Sequence, residues 1–328
     1  MAQKVAIILA AGVSSRMKTE LPKVLHEVCG RPMLAYVLDA CREAGAEKIY
    51  VVVGYGSEQV KEYFADCSDI VWVEQNQQKG TAHAVLCCKE HLKDFDGQTL
   101  VLCGDGPLIR SEVLKALAEK YETQKPAAVL ATAILEDPTG YGRIIRDENG
   151  NLKGIVEHND CTKHQRQIKE INPSYYLFNN KVMFDALAQV KPDNAKGEYY
   201  LTDALAIILS KGHKIAAITA VEPEEAISVN DRRQLSMVGK ILQQRIQKKL
   251  MISGVTIVDP NNTWIDVRVQ IGQDTIIEPF SYIQGRVKIG KACRIGPFAY
   301  IPDGSVLADG EILDVFSKID GAAKGFRG

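Results

Sequence analysis

The chain has 328 residues and a formal net charge of -1, with 46% hydrophobic and 25% charged residues. This length predicts two domains, and the composition is that of a globular protein with a buried core. A charge so close to zero argues against a broad electrostatic surface for nucleic acid or membrane. No stretch reaches the roughly 18 consecutive apolar residues of a membrane span. We therefore expect no nucleic-acid partner and no membrane partner.

The N-terminus and the cysteines both indicate a cytoplasmic protein. The apolar run at residues 5–11 is short and leads directly into a polar turn, which is not the pattern of a signal peptide. The eight cysteines are scattered without a C-x-x-C pair, and the adjacent Cys87 and Cys88 lie in a predicted helix, where they cannot chelate one metal together. Reduced thiols of this kind fit the cytosol.

Short β-branched runs alternate with helical segments over the first 135 residues. Strands are predicted at residues 5–11, 48–54, 70–75, 99–105 and 127–135, and the segments between them have apolar residues at helical spacing. This order predicts an α/β fold: a Rossmann-like, mostly parallel sheet with helices on both faces. Such sheets bind ligands at the carboxyl ends of their strands.

The pattern changes after residue 135. Residues 143–158 predict a hairpin whose turn contains Asn149-Gly150. A strand at 173–179, a helix from residue 198 and a strand at 214–220 follow. Asp231 is then the expected cap of a long helix over residues 232–251.

From Ile265 the chain divides into eight six-residue units, IDVRVQ, IGQDTI, IEPFSY, IQGRVK, IGKACR, IGPFAY, IPDGSV and LADGEI. Each unit opens with an aliphatic residue, which predicts a short left-handed parallel β-helix of hexapeptide repeats. The repeats decay after residue 314. The predicted domains are therefore residues 1–230, a linking helix at 231–252, and the β-helix at 253–328.

The stretch LAAGVSSRMKTELPK, residues 9–23, follows the first strand and combines Gly12 with Arg16 and Lys23. Backbone N–H groups in such a turn, with two cations nearby, favour phosphate. The stretch matches neither the dinucleotide fingerprint nor the P-loop. A surface loop with solvated basic residues is the alternative at this point.

The whole stretch resembles the L-A-A-G-x-G-T-R-M…P-K signature of the sugar-phosphate nucleotidyltransferase family. Five further stretches, EQNQQKGTAHAV, CGDGPLI, DPTGYGRIIRD, GIVEH with QIKEIN, and GEYYLTD, follow in family order over residues 1–230. Within the family the chain is similar to the bacterial N-acetylglucosamine-1-phosphate uridyltransferases, in a short form without a complete acetyltransferase domain.

The resemblance implies attack of a sugar 1-phosphate on the α-phosphorus of UTP, with release of pyrophosphate and with Mg²⁺ as cofactor. It implies catalytic roles for Arg16 and Lys23 and metal ligation by Asp105 and Asn230. The implied nucleotide-binding residues are Leu9, Ala11, Gly12, Gln75, Gly80 and Thr81, and the implied sugar-phosphate-binding residues are Gly140, Glu157, Asn172 and Tyr200.

The residue types fit these roles, although several have simpler explanations. A carboxylate such as Asp105 at a strand's carboxyl end suits Mg²⁺, but a turn aspartate is also common. Asn230 stands before a helix and alone would be taken for a cap. Tyr200 is nearly as well explained as a core residue, and we expect His83 to be structural or at the surface.

Two departures from the family pattern leave the substrates open. Ser14-Ser15 stands where the signature has Gly-Thr, and Pro173-Ser174 stands where the family has Thr-Gly. Pro173 removes a backbone donor. Another nucleotide or sugar 1-phosphate, or a nucleotide-sugar-binding regulatory protein, are therefore alternatives.

The β-helix departs from the bifunctional relatives as well. Tyr300 and Pro302 stand where the family has basic residues, so we expect no acetyltransferase activity. Hexapeptide domains generally associate about a threefold axis, which suggests a homotrimer. A packing platform without a binding role is the alternative.

Overall fold

A computed structural model of the protein describes residues 3–13 and 15–315. This part of the chain forms two compact units. The first comprises Met33–Gln234 with the described part of Met1–His26, and the second comprises Glu27–Pro32 with the described part of Leu235–Gly328. Ser14 and most of the decayed C-terminal repeat lie outside the described residues.

Strands and helices alternate through most of the first unit. In chain order the elements before the β-helix are β1 (Lys4–Ala10), β2 (Glu27–Val28), β3 (Arg31–Pro32), α1 (Met33–Glu43), β4 (Lys48–Val53), α2 (Ser57–Tyr63), β5 (Ile70–Glu74), α3 (Thr81–Leu86), α4 (Lys89–Leu92), β6 (Gln98–Cys103), α5 (Ser111–Gln124), β7 (Ala128–Ile134), β8 (Gly142–Arg146), β9 (Leu152–Val156), β10 (Glu170–Asn179), α6 (Asn180–Leu187), α7 (Leu201–Ser210), β11 (Ile215–Thr219) and α8 (Arg232–Ile252). The predicted α/β order is confirmed.

The main sheet of the first unit has the strand order β11-β7-β10-β6-β1-β4-β5, with the hairpin β8-β9 attached to β10. Neighbours pair in parallel except β10, which runs antiparallel to both β6 and β7. The sheet is therefore mostly parallel, as predicted. The expected hairpin is also present, with Asn149-Gly150 between β8 and β9.

Both faces of this sheet are covered, as the sequence pattern predicts for parallel strands. In β1, Ala6 and Ile8 belong to one hydrophobic core, whereas Val5 and Ile7 belong to the other. Alternation along a strand sends successive side chains to opposite faces. Residues of α1 and α5 complete the first core, and residues of α3, α6 and α7 complete the second.

The pairing of β1 with β6 positions the site. Leu9 of β1 lies opposite Cys103 of β6 in this parallel pair. The loop after β1 and the Gly104-Asp105 turn after β6 therefore leave the sheet side by side at its carboxyl edge.

The second unit contains stacked strands of two residues each. They are β12 (Thr256–Ile257), β13 (Trp264–Ile265), β14 (Gln270–Ile271), β15 (Ile276–Ile277), β16 (Tyr282–Ile283), β17 (Lys288–Ile289), β18 (Arg294–Ile295), β19 (Tyr300–Ile301), β20 (Val306–Leu307) and β21 (Ile312–Leu313). They form three parallel stacks, β12-β15-β18-β21, β13-β16-β19 and β14-β17-β20. This is the predicted short parallel β-helix, with three hexapeptides to a coil.

The aliphatic residue that opens each hexapeptide faces the interior of the coil. Ile265, Ile277, Ile283, Ile295 and Ile301 have no exposed surface. The fifth residue of the units is also buried and is small or β-branched, as at Thr275, Ser281, Val287, Cys293 and Ala299. The six-residue period of the sequence thus follows from burial of the first and fifth residue of the units.

The structure corrects the predicted helix around Cys87 and Cys88 and describes the remaining cysteines and helices. Cys87 and Cys88 lie in a turn between the short helices α3 and α4 and not within one helix, so the single predicted helix is wrong there. All eight cysteines are free thiols. In residues 3–13 and 15–315, no helix combines the length and apolar composition needed to cross a bilayer.

Candidate active site

The loop after β1 provides open space beside the sheet edge. A Cβ atom placed on Gly12 would meet no atom within 4 Å, and the backbone φ of Gly12 is not left-handed. Glycine is therefore not required here by backbone conformation. Its missing side chain leaves room for close approach of a ligand to the main chain.

Lys23 lies at the centre of a polar cluster built from three segments. Its ammonium group contacts Oδ2 of Asp105 and lies 3.3 Å from Oδ1 of Asn230. Arg16 donates to the same Asn230 oxygen at 3.0 Å. The structure therefore brings together the two predicted catalytic cations and the two predicted metal ligands.

The backbone explains how residue 230 reaches residue 105. The N–H of Val229 donates to the carbonyl oxygen of Asp105 at 2.9 Å, which fixes this segment beside the turn after β6. Asp231, as predicted, caps α8: its Oδ1 accepts from the N–H groups of Arg233 and Gln234. Asn230 is therefore not the cap, and its amide nitrogen donates to Ser228 while its oxygen faces the cations.

The cluster has the chemistry of a site for a divalent cation. Oδ1 of Asp105 is buried and has no hydrogen-bond partner in the described part of the chain. An unpaired buried carboxylate oxygen is costly, and a bound cation would satisfy it. Within residues 3–13 and 15–315 there is no group of three or more His, Cys, Asp and Glu side chains arranged to hold a metal. A cation held by one carboxylate and one amide therefore needs its remaining ligands from substrate and water.

A cavity of about 280 Å³ opens beside this cluster. Its walls include all six predicted nucleotide-binding residues, together with Lys23 and Asp105. These six are Leu9, Ala11, Gly12, Gln75, Gly80 and Thr81. The other cavity residues are Ala10, Val24, Gln78, Ala84, Cys103 and Glu198.

Gly80 has a structural requirement that Gly12 lacks. Its φ is +113°, and an added Cβ would lie 2.6 Å from the carbonyl oxygen of Tyr199. The chain passes close there because Tyr199 exchanges backbone hydrogen bonds with Lys79 and Ala82 at 2.8 Å each. These bonds hold the GEYYLTD segment against the cavity wall.

A second cavity of about 210 Å³ adjoins the first and shares Leu9, Thr81, Cys103 and Glu198 with it. Two of the predicted sugar-phosphate residues, Glu157 and Tyr200, line it. Glu157 accepts a hydrogen bond from the Thr202 hydroxyl at 3.1 Å. Burial raises the pKa of Glu157 despite this bond, and burial also raises the pKa of Tyr200 to about 12.

The other two predicted sugar-phosphate residues do not line either cavity. Asn172 is buried, donates to the Tyr176 hydroxyl at 2.6 Å and accepts from the Ser174 N–H at 3.1 Å. Gly140 has a φ of +89° in the loop before β8, with open space around it. Asn172 thus acts on the second cavity through Tyr176 and Ser174, which are both among its lining residues.

Ser174 occupies a strained position. Its φ is +68°, in the left-handed region that favours glycine, and the pairing of β10 with β7 shifts register between Ile171 and Tyr175. The Thr-Gly of the family pattern, replaced here by Pro173-Ser174, would suit this bulge better. The serine side chain stands where glycine would leave space in the second cavity.

Sequence reasoning missed several cavity residues. Gln78 donates to the Ala11 carbonyl oxygen at 3.3 Å, and Lys196 and Glu198 line the second cavity. Gln78 and Glu198 lie inside quoted motif stretches, which is the signal that could have identified them. Lys196 precedes its motif and carries no comparable signal.

A Rossmann-like sheet with a basic, glycine-containing loop after its first strand and an aspartate after the neighbouring strand is the arrangement expected of a nucleotidyltransferase, and the family match agrees with it. Residues 6–204 match the family described as MobA-like NTP transferase domain, and the chain belongs to that family. Residues 268–303 match the bacterial transferase hexapeptide family, which has six repeats.

The chain is similar to curated proteins named bifunctional protein GlmU. It is 47% identical to the one from Geobacillus sp. (strain WCH70) and 46% identical to the one from Listeria innocua serovar 6a, over 285 residues in each case. These alignments cover 87% of this chain, which spans 62% of the length of those relatives.

Solved structures of UDP-glucose pyrophosphorylase share the fold. The structure complexed with UDP-glucose has a TM-score of 0.61 at 20% identity, over 75% of this chain and 100% of that one. The apo structure has a TM-score of 0.62 at 19% identity, over 75% of this chain and 99% of that one.

Proposed function

We propose that the protein transfers a uridylyl group from UTP to N-acetylglucosamine 1-phosphate in an Mg²⁺-dependent reaction, giving UDP-N-acetylglucosamine and pyrophosphate. The observation that carries the proposal is the polar cluster of Lys23, Asp105, Asn230 and Arg16 beside two adjoining cavities. One cavity is assigned to the nucleotide and the other to the sugar phosphate.

The adjacency of the cavities supports a two-substrate reaction. They have four residues in common, so a phosphate on a ligand in the second cavity can approach a nucleotide in the first. Transfer of a phosphoryl-type group requires mainly such positioning, together with neutralisation of charge. A protein that only binds one nucleotide sugar requires neither the second cation nor the unpaired carboxylate oxygen.

Each residue of the cluster has an assigned task. Lys23 and Arg16 neutralise the triphosphate and the charge that develops on the departing pyrophosphate. Asp105 and Asn230 would hold Mg²⁺, which when bound supplies further charge neutralisation on the phosphate oxygens. Gln75 contacts the uracil base. Gly12, which has no side chain, lets the nucleotide approach the main chain closely.

The sugar assignment rests on the second cavity. Glu157, Tyr200 and the Ser174 region supply hydrogen-bonding groups for sugar hydroxyls or an acetamido group. Asn172 holds the Tyr176 hydroxyl and the Ser174 N–H by hydrogen bonds. Gly140 has open space around it, so a sugar phosphate can approach the loop before β8. Because Ser174 replaces a glycine of the family pattern, another sugar 1-phosphate is the second candidate substrate.

Further proposals concern the second unit, the oligomeric state, the cellular location and the domain boundaries. Tyr300 stacks on Tyr282 at 6.1 Å and bonds Gln284, so its position carries an aromatic column and not a cation; we therefore propose no acetyl transfer. Association into a homotrimer through the β-helix and a cytoplasmic location stay proposals. So do domain boundaries at residues 230 and 252.

Pyrophosphate release measured with Mg²⁺ tests the proposed reaction. UTP and other nucleoside triphosphates are crossed with N-acetylglucosamine 1-phosphate, glucose 1-phosphate and related sugar phosphates. Asp105→Asn should abolish turnover, whereas the matched control Asp66→Asn, at an exposed position, should leave it unchanged. Turnover with a different pair would change the substrate, and UTP binding without turnover in any pair would favour the regulatory alternative.

A further inference from the structure

Gln75 is held by two neighbours at the wall of the first cavity. It follows β5 directly and is only 4% exposed. Its side-chain nitrogen Nε2 lies 3.2 Å from the carbonyl oxygen of Gly80 and 2.9 Å from Nδ1 of His83. No described residue makes a hydrogen bond to its oxygen Oε1.

The chemistry of these neighbours fixes which way the amide faces. A carbonyl oxygen only accepts hydrogen bonds, so the Gly80 contact requires the NH₂ group of Gln75 on that side. One N–H of this group goes to Gly80 and the other to His83. Nδ1 of His83 must therefore accept, which makes His83 the neutral tautomer with its proton on Nε2.

We infer that His83 is a positioning residue that presents Oε1 of Gln75 to the nucleotide and thereby selects uracil over cytosine, an inference that rests on the proposed function. Uracil carries an N–H donor at N3, which a carbonyl oxygen accepts. Cytosine has an acceptor lone pair at N3, so the same oxygen would face it without a hydrogen bond. A buried polar group left unpaired is what discriminates strongly between such analogues.

Without His83 the amide has only one fixed partner. The Gly80 carbonyl still holds one N–H, but the second would be unpaired in a largely buried position. The side chain would then rotate to satisfy it, and Gln75 would present either its oxygen or its nitrogen to the base. Selectivity would fall, whereas the polar cluster around Lys23 would be unchanged.

Two substitutions separate this role from a structural one. In His83→Asn the side-chain oxygen Oδ1 is bonded to Cγ, as Nδ1 is in histidine. It can therefore accept the hydrogen bond from Gln75 in place of Nδ1. His83→Leu keeps comparable bulk without an acceptor. Should His83→Leu lose its thermal unfolding transition, His83→Ala, which only removes atoms, takes its place.

The measurement compares UTP with CTP in two ways for the wild type and both variants. Calorimetric binding of each nucleotide with Mg²⁺ gives Kd values, and pyrophosphate release with N-acetylglucosamine 1-phosphate gives kcat and KM. The wild type should prefer UTP. His83→Leu should lower the UTP-to-CTP ratio of kcat/KM by about 10- to 100-fold through KM, with kcat within about threefold. His83→Asn should restore the ratio to within about threefold of the wild type.

Two results would overturn the inference, and they are distinguishable. A UTP-selective wild type whose selectivity is unchanged in His83→Leu removes the role of His83 but leaves the proposed function standing. A wild type that binds and turns over neither nucleotide overturns both.

Discussion

Lys23 and Asp105, which are 82 positions apart in the sequence, form an ion pair at the carboxyl edge of the sheet, with 16% and 14% of their side-chain surfaces exposed. The pair forms because the strands that precede them, β1 and β6, are neighbours in the sheet. Asn230 Oδ1 completes the surroundings of the ammonium group at 3.3 Å. The Lys23 ammonium group thus stands where two oxygen ligands and a triphosphate are expected to meet.

Replacing Lys23 should affect turnover more than folding. Lys23→Met removes the ammonium group and keeps most of the aliphatic stem. We expect kcat to fall by about 10²- to 10³-fold, since a preorganised charge at the transition state is lost. Steady-state pyrophosphate release provides the measurement. Lys18→Met, an exposed lysine on the same loop, is the matched control and should retain normal turnover. Equal kinetics for the two variants would remove Lys23 from the catalytic machinery.

The two cavity glycines should respond differently to alanine. Gly12→Ala adds a methyl group into open space, so we expect an unchanged unfolding midpoint but a UTP Kd raised at least about tenfold by steric exclusion. Gly80→Ala forces a left-handed φ and a clash with the Tyr199 carbonyl oxygen, at a cost of about 1–3 kcal/mol in the free energy of unfolding. Urea denaturation and calorimetry distinguish the two. Normal UTP affinity in Gly12→Ala would mean that the nucleotide does not approach this backbone.

Ser174→Gly should stabilise the protein. A left-handed φ costs an L-residue about 1–2 kcal/mol, and the greater unfolded-state freedom of glycine offsets about 0.5–1 kcal/mol of that. We therefore expect a net gain of up to about 1.5 kcal/mol, measured by urea denaturation. Ser174→Ala removes the hydroxyl but keeps the strained φ, so it should show no gain. A changed KM for the sugar phosphate in both variants would assign an effect to the hydroxyl, and equal stabilisation in both would contradict the strain argument.

Glu157→Gln should stabilise the ligand-free protein at neutral pH. Burial raises the pKa of Glu157 in the folded state, so ionisation of this carboxyl opposes folding. The difference between variant and wild type should be absent below the unfolded-state pKa of about 4.3. It should grow as pH rises through that value and level off above the raised folded-state pKa. Glutamine can still accept from the Thr202 hydroxyl. Thermal unfolding from pH 4 to pH 8 measures the effect, and a difference that shrinks as pH rises would contradict it.

Periodicity was sufficient to predict most of the architecture. The six-residue spacing from Ile265 determines which residues enter the coil, because two of every six positions are buried. Alternating apolar strands and helices likewise predict the sheet and its two faces. The antiparallel direction of β10 was not predictable in this way, since strand direction depends on pairing with β6 and β7 and not on local pattern.

The site was predictable to the extent that its residues lie in recognisable stretches. Gly12, Lys23 and Asp105 follow strands that pair, so their convergence follows from the fold. The left-handed φ of Ser174 and the contact of His83 with Gln75 were not visible, because both depend on tertiary geometry. From the sequence, His83 is expected to be structural or at the surface.

The short hairpin of β2 and β3 gives the chain an unexpected connectivity. Residues 27–32 belong to the second unit: the Val267 N–H donates to the Cys29 carbonyl oxygen, and Gln243 donates to the Cys29 sulfur. Val28 and Cys29 are 3% and 2% exposed. The polypeptide therefore crosses from one unit to the other and back within ten residues of Lys23, long before α8. A protein shortened by a single cut near residue 234 would keep this hairpin but lose its partners, uncovering the side chains of Val28 and Cys29, five and six positions after Lys23. Residues 27–32 therefore depend for their packing on the part of the chain after residue 234, although most of the first unit lies between the two in the sequence.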